Sequence, residues 1–188
     1  MIKKNLSKIW AKQMRYHWSR IRHQRSPRKL STAQAAKYKN LIPRSMTQIG
    51  RTAQEIYSRF QYTNDSWDRL YDSIDTPASC VLRTFERPPL REDCDGFHSA
   101  LYWFVSQTFD CRLLTVVTEN IHDSHSLLIC RDRQRYFYID YTYISQLFNS
   151  VSDAVEHINH RLYKPKNTNI MYHELSLYTG FQWISKNF

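Results

Sequence analysis

Glycine is scarce in this chain, with three in 188 residues, and that leaves no room for a flexible glycine-rich segment. No apolar run approaches the roughly 18 residues that a membrane-spanning helix requires. The N-terminus has no uninterrupted apolar stretch and no small-residue cleavage site, so no secretory signal is read there. Cysteine is limited to Cys80, Cys94, Cys111 and Cys130, too few and too widely spaced for a disulfide framework. A reducing, cytoplasmic compartment is the expectation. Acidic residues are missing altogether from residues 1–54, which hold 14 Lys and Arg. The remaining 134 residues carry 13 basic and 17 acidic side chains. The chain therefore divides into a basic arm and a slightly acidic body. Hydrophobic residues at 41% and aromatics at 14% suffice for a packed core and exclude wholesale disorder.

The arm is assigned to residues 1–44 and the body to 45–188. Ile2, Leu6, Ile9, Trp10, Met14, Trp18 and Ile21 recur at helical spacing, with basic residues filling most of the other positions. An amphipathic helix of this kind suits docking on nucleic acid phosphates, an anionic membrane surface or a larger protein assembly. Lys3, Lys8, Lys12, Arg15 and Arg22 are the candidate contacts. "STAQAAKYKNLI" predicts a second short helix, capped by Ser31 or Thr32 and stopped by Pro43. Residues 45–75 read as helical, and 76–93, with Pro77, Pro88 and Pro89, as a loop-rich approach. A helix is predicted from Cys94 to about Gln107. The period then changes: 111–118, 125–130 and 135–142 are strands apolar on both faces, as in a sheet covered on both sides. "SVSDAVEHINHRLY" is a helix opened by a Ser150–Asp153 capping box, and "IMYHELSLY" returns as a strand.

The chemistry concentrates around "REDCDGFHSALYWF". Cys94 stands among Glu92, Asp93 and Asp95 at the first turn of an apolar helix. The helix dipole favours thiolate there; neighbouring carboxylates oppose it unless they turn away as caps. Further on, "HSLLICRDRQRYFYIDYT" reads as a hairpin. A two-residue turn at Asp132-Arg133 sets His125 directly opposite Asp140, with Cβ atoms about 5 Å apart. An aspartate in an aromatic strand needs a partner, and a carboxylate beside an imidazole fixes its tautomer. Cys94, His125 and Asp140 thus form a candidate nucleophile, base and orienting group. A rival reading takes Cys94 and His98 with His122 and His125 as zinc ligands, but paired Cys-x-x-Cys spacing is absent. The preferred reading needs no metal or cofactor. Cys80, Cys111 and Cys130 read as core.

"DCDGFHSALYWF", "SHSLLIC" and "YFYIDYT", in that order, resemble the transglutaminase-like branch of papain-fold cysteine enzymes, over about residues 60–145. "WDRLYDSIDTP" is similar to the segment preceding that family's cysteine loop. Two departures touch the loop. The family often has Gly where this chain has Glu92, and an acid where it has Gly96. The resemblance implies an α+β fold, with a small papain-like core in which a cysteine-bearing helix packs on a short antiparallel sheet. It implies catalysis by Cys94, His125 and Asp140 on a protein or peptide amide, as peptidase, deamidase or transglutaminase. The Cys94 backbone N–H is the natural first oxyanion donor, and Gln61 or Trp67 is a positional candidate for the second. The alternative from another class is a non-catalytic interaction protein that keeps the fold, such as a phage or virion assembly component anchored by its arm.

Overall fold

The computed structural model describes residues 29–63, 75–118, 123–179 and 182–185. The predicted arm helix, with Lys3, Lys8, Lys12, Arg15 and Arg22, lies outside them, as do Trp67 and His122. The fold is α+β. Helix α1 (Thr32–Lys37) starts at Ser31, whose hydroxyl and Gln34 form a reciprocal capping box. A 3-10 turn at Lys39–Leu41 follows, and Pro43 ends the helical run. Helix α2 (Met46–Tyr57) begins at the Ser45 cap and buries Ile49, Ala53 and Ile56. Tyr38 is buried in the same core, with Leu30, Leu41 and Ile42 against it. Leu30, Tyr38, Leu41 and Ile42, from the stretch assigned to the arm, thus pack with residues of the body.

Two sequence expectations fail in the next stretch. After α2 the chain forms a short strand, β1 (Phe60–Tyr62), where helix was expected. Where a loop was expected, residues Pro77–Glu86 are helix α3. Pro77 misled: at the first helical position its missing N–H is no loss, and Thr76 caps the turn by accepting from Ser79 N–H at 3.1 Å. Strand β2 (Leu90–Glu92) pairs in parallel with β1, with Gln61 opposite Arg91.

Helix α4 (Cys94–Val105) follows β2 after a single residue. Phe97, Ala100, Leu101, Phe104 and Val105 are fully buried, each large side chain contributing about 1.5–3 kcal/mol relative to exposure. They pack on one face of a sheet made from β3 (Asp110–Thr118), β4 (His125–Asp132), β5 (Arg135–Asp140), β6 (Tyr143–Ile144), β7 (Ile170–Thr179) and β8 (Gln182–Ser185). Its order is β6-β5-β4-β3-β7-β8, and every pairing is antiparallel. Leu113, Leu128, Cys130, Phe137 and Ile139 face α2, α3 and α4. Leu114, Val116, Leu127, Ile129 and Tyr138 face the opposite way, onto helix α5 (Val151–Ile158) and Tyr163. Alternation with period two feeds two cores, which is why these strands read as apolar throughout. The Ser150–Asp153 capping box forms as expected, both its bonds at 3.1 Å. The helix does not run unbroken to Tyr163, however, because its last residues, Asn159–Tyr163, widen into a π turn. Among the described residues no helix is long and apolar enough to cross a membrane.

Candidate functional site

The site begins with Asp93. This residue is extended and caps α4, its Oδ1 accepting from Asp95 N–H at 3.0 Å. The acid before the thiol is therefore used as a cap, and Cys94 becomes the first residue of the helix. The approach is held by Arg83 of α3, which bonds Glu92 and Arg91 C=O (3.0 Å) and reaches Asp75 Oδ2 at 3.2 Å. Gly96 completes the fit. A Cβ there would lie 2.4 Å from Glu92 Cβ and 2.6 Å from its Cγ. Glu92 thus has a place because residue 96 has no side chain.

The β4–β5 hairpin turns at Arg133-Gln134, one residue later than expected, with Arg133 at φ 56°. Asp132 pairs with Arg135 and Leu128 with Ile139. Extended further, this register would set Asp140 against Leu127 rather than His125. The shift of pairing is two residues, so facing is preserved, and His125 and Asp140 become diagonal neighbours on one face. They still meet, because the imidazole spans the diagonal: His125 Nε2 and Asp140 Oδ1 are 2.8 Å apart. The ladder ends at Leu128–Ile139, and beyond it Ser126 N–H donates to Cys94 Sγ at 3.3 Å. β5 leaves β4 here because Tyr141, at φ 51°, turns the chain into β6. A bulky residue in that left-handed region is strained and needs surrounding contacts to hold it.

Those contacts come from two histidines and an aromatic cluster. The Tyr141 ring lies 5.7 Å from the His125 ring, 5.2 Å from His98 and 5.0 Å from Phe97, centroid to centroid. Tyr141 N–H donates to His98 Nε2 at 3.1 Å, so the His98 proton sits on Nδ1, which donates to Cys94 C=O at 2.6 Å. Burial, reinforced by His125, lowers the His98 pKa to about 3, and the ring stays neutral. With both nitrogens engaged, His98 is a brace between the cysteine turn and the β5–β6 turn. It has no lone pair to offer zinc, and no group of three His, Cys, Asp or Glu side chains suited to a metal occurs among the described residues.

Asp140 has a second partner that sequence reasoning missed. Arg161, in the π turn, donates to Asp140 Oδ2 at 2.7 Å while its guanidinium covers the Tyr143 ring at 3.8 Å. Burial alone pushes the Asp140 pKa up. The hydrogen bonds from His125 and Arg161, with the nearby imidazoles, outweigh it and hold the carboxyl well below the usual carboxylate range. An ionised Asp140 accepts from His125 Nε2–H, which leaves Nδ1 as the basic nitrogen of that ring. The one signal available in sequence was that a buried carboxylate has two oxygens to satisfy, and His125 accounts for only one.

The structure therefore joins His125 to Asp140 and brings the Cys94 sulfur to the residue beside His125. Gln61 is exposed on β1, level with Arg91 in the segment leading to Cys94. Cys80, Cys111 and Cys130 are buried in the core, and none of the four cysteines is in a disulfide. No family model, curated protein or solved structure matches the chain.

Proposed function

We propose that this protein is a cysteine-dependent acyl-transfer enzyme acting on protein or peptide amides, built on a papain-like core of the transglutaminase-like kind. The observation that supports the reading is that the thiol at the start of α4 accepts from the backbone N–H of Ser126, next in the chain to His125, whose imidazole is bonded to the ionised Asp140. Cys94 Sγ attacks the carbonyl carbon while its proton passes to His125 Nδ1. The tetrahedral intermediate collapses with breakage of the C–N bond, and His125 returns the proton to the leaving nitrogen. Asp140 stays ionised, orients the ring through Nε2–H and stabilises the imidazolium. The thioester is then resolved by water, giving hydrolysis, or by an amine, giving transamidation. Water is always present, so hydrolysis is the default.

The test is acylation by p-nitrophenyl acetate, which needs no knowledge of the natural substrate. The expected result is an acetyl adduct mapped to Cys94 by peptide mass, formed faster than on the buried cysteines and absent from Cys94→Ala. An added primary amine that captures the acetyl group as an amide favours transamidation. Acetylation spread over surface lysines, with none at Cys94, rejects the reading. The charge of residues 1–54 favours a second role, in which the arm docks the protein on nucleic acid, an anionic membrane or an assembly such as a virion. That role is compatible with catalysis.

A further inference from the structure

Three of the four cysteines take no part in the candidate site, and two of these stand against each other. Cys111 is the second residue of β3 and Cys130 the sixth of β4. They are Cα partners in the antiparallel β3–β4 ladder. Directly opposed residues of such a ladder have Cα atoms about 4.5 or 5.5 Å apart, and both values fall within the roughly 4.4–6.8 Å that a disulfide spans. Facing agrees with spacing. Both side chains lie on the sheet face that carries α2, α3 and α4, in one core with Leu113 and Leu128, and their sulfurs are 2.7 Å apart. Both are free thiols.

The pair lies near one end of its ladder. Beyond it comes the Asp110–Arg131 pair, whose side chains are 35% and 38% exposed. On the other side of β3, β7 is paired from Leu113 to Thr118, so the described pairings hold Cys111 through β4 alone. In the closed fold the two cysteines are 2% and 0% exposed. Opening the end of a strand takes much less free energy than unfolding the protein, and here a short opening uncovers both sulfurs. Burial and the neighbouring Cys111 sulfur push the Cys130 pKa up, which makes reaction depend on that opening.

We propose that Cys111 and Cys130 are a redox pair, which closes into a cross-strand disulfide when the protein meets a small disulfide oxidant such as oxidised glutathione. One protein thiolate attacks a glutathione sulfur, breaking its S–S bond and expelling a glutathione thiolate. The other protein thiolate then attacks the protein sulfur of the mixed disulfide and expels the second glutathione. In all, the two protein thiols give up two electrons and two protons, and one oxidised glutathione becomes two reduced molecules. The bond closes a loop over the 18 residues between the cysteines and fixes β3 to β4. β4 begins at His125, and its Ser126 N–H meets Cys94 Sγ, so the closed pair braces the strands behind the candidate site without using its thiol. The inference holds whether or not that thiol is catalytic.

The test incubates the folded, full-length protein with oxidised glutathione, blocks remaining thiols with N-ethylmaleimide and maps every cysteine by peptide mass without reduction. The expected result is a joined pair of peptides carrying Cys111 and Cys130, with Cys80 blocked as a free thiol. The closed protein should melt about 5–12 °C above the same protein after reduction, the rise expected for a loop of this length in a chain of this size. Cys130→Ala treated in the same way should show no such rise. Thiols at 111 and 130 that stay reduced, glutathione retained on either of them, or a bridge from either to Cys80 or Cys94 overturns the pairing. A Cys111–Cys130 bridge that leaves the midpoint unchanged or lowers it also overturns the proposal, because the fold then does not accommodate the bond.

Discussion

Asp140→Asn should slow alkylation of Cys94 by iodoacetamide at neutral pH by at least about tenfold, and acylation by about two to four orders of magnitude. Asparagine keeps the shape but cannot stabilise an imidazolium, and its amide can turn an N–H toward His125 Nε2. The ring then presents the wrong nitrogen to the thiol. The same change removes the carboxylate from Arg161. The Asp140 side chain is 8% exposed and that of Arg161 31%, so the pair is only partly screened. A loss of about 2–3 kcal/mol is expected, below the full value for a wholly buried pair. The pH dependence gives an independent check. Because the folded-state pKa of Asp140 is depressed, its contribution is complete above the unfolded value of about 3.9 and is lost as pH falls below it. The stability gap between wild type and Asp140→Asn, measured by denaturant titration, should therefore narrow steadily below about pH 4. A gap constant through that range would mean that Asp140 is not held ionised by its partners.

Gly96→Ala should destabilise the protein by about 1–3 kcal/mol, although alanine is favoured over glycine in a helix interior by about 1 kcal/mol. The new methyl meets Glu92 Cβ at 2.4 Å. That atom stands next to the backbone, and the side chain beyond it is tied to Arg83, so nothing can swing aside cheaply. A double-mutant cycle identifies the cause. Glu92→Gly removes the clashing carbon and should recover most of what Gly96→Ala loses, even though Glu92→Gly alone is destabilising through loss of the Arg83 bond. Glu92→Ala keeps the Cβ and should recover little. If both combinations are simply additive in thermal or denaturant unfolding, the contact between residues 92 and 96 is not what limits position 96. Cys94 sits between them, so Gly96→Ala should also disturb the reactivity of the thiol.

Much of this arrangement was legible in the sequence, and the failures have specific causes. α4, β3, β4, β5 and β7 announce themselves by apolar period, and Ser31 and Ser150 by their capping partners. The pairing of His125 with Asp140 was anticipated from a turn that lies one residue away from the actual one. It survived because the error shifted pairing by two, and an even shift leaves every side chain on its face. α3 was lost to Pro77, which reads as a breaker unless Thr76 is recognised as its cap. β1 and β2, three residues each, pair only with one another and carry too short a pattern to register. Arg161 and the bracing role of His98, read in the sequence only as a rival zinc ligand, escaped for a different reason. Each matters through a hydrogen bond that depends on a turn geometry no local pattern encodes: the left-handed Tyr141 for His98, and the π turn for Arg161.

The most direct test of the Cys94–His125 pair is the rate of Cys94 alkylation by iodoacetamide as a function of pH, in wild type and in His125→Ala. The pairing predicts a reactive thiolate well below the free-thiol value of about 8.5 in wild type, and a profile that reverts toward that value in the variant. A single inflection near or above 8.5 that is the same in both proteins would contradict it, leaving the thiol a structural residue at the start of its helix.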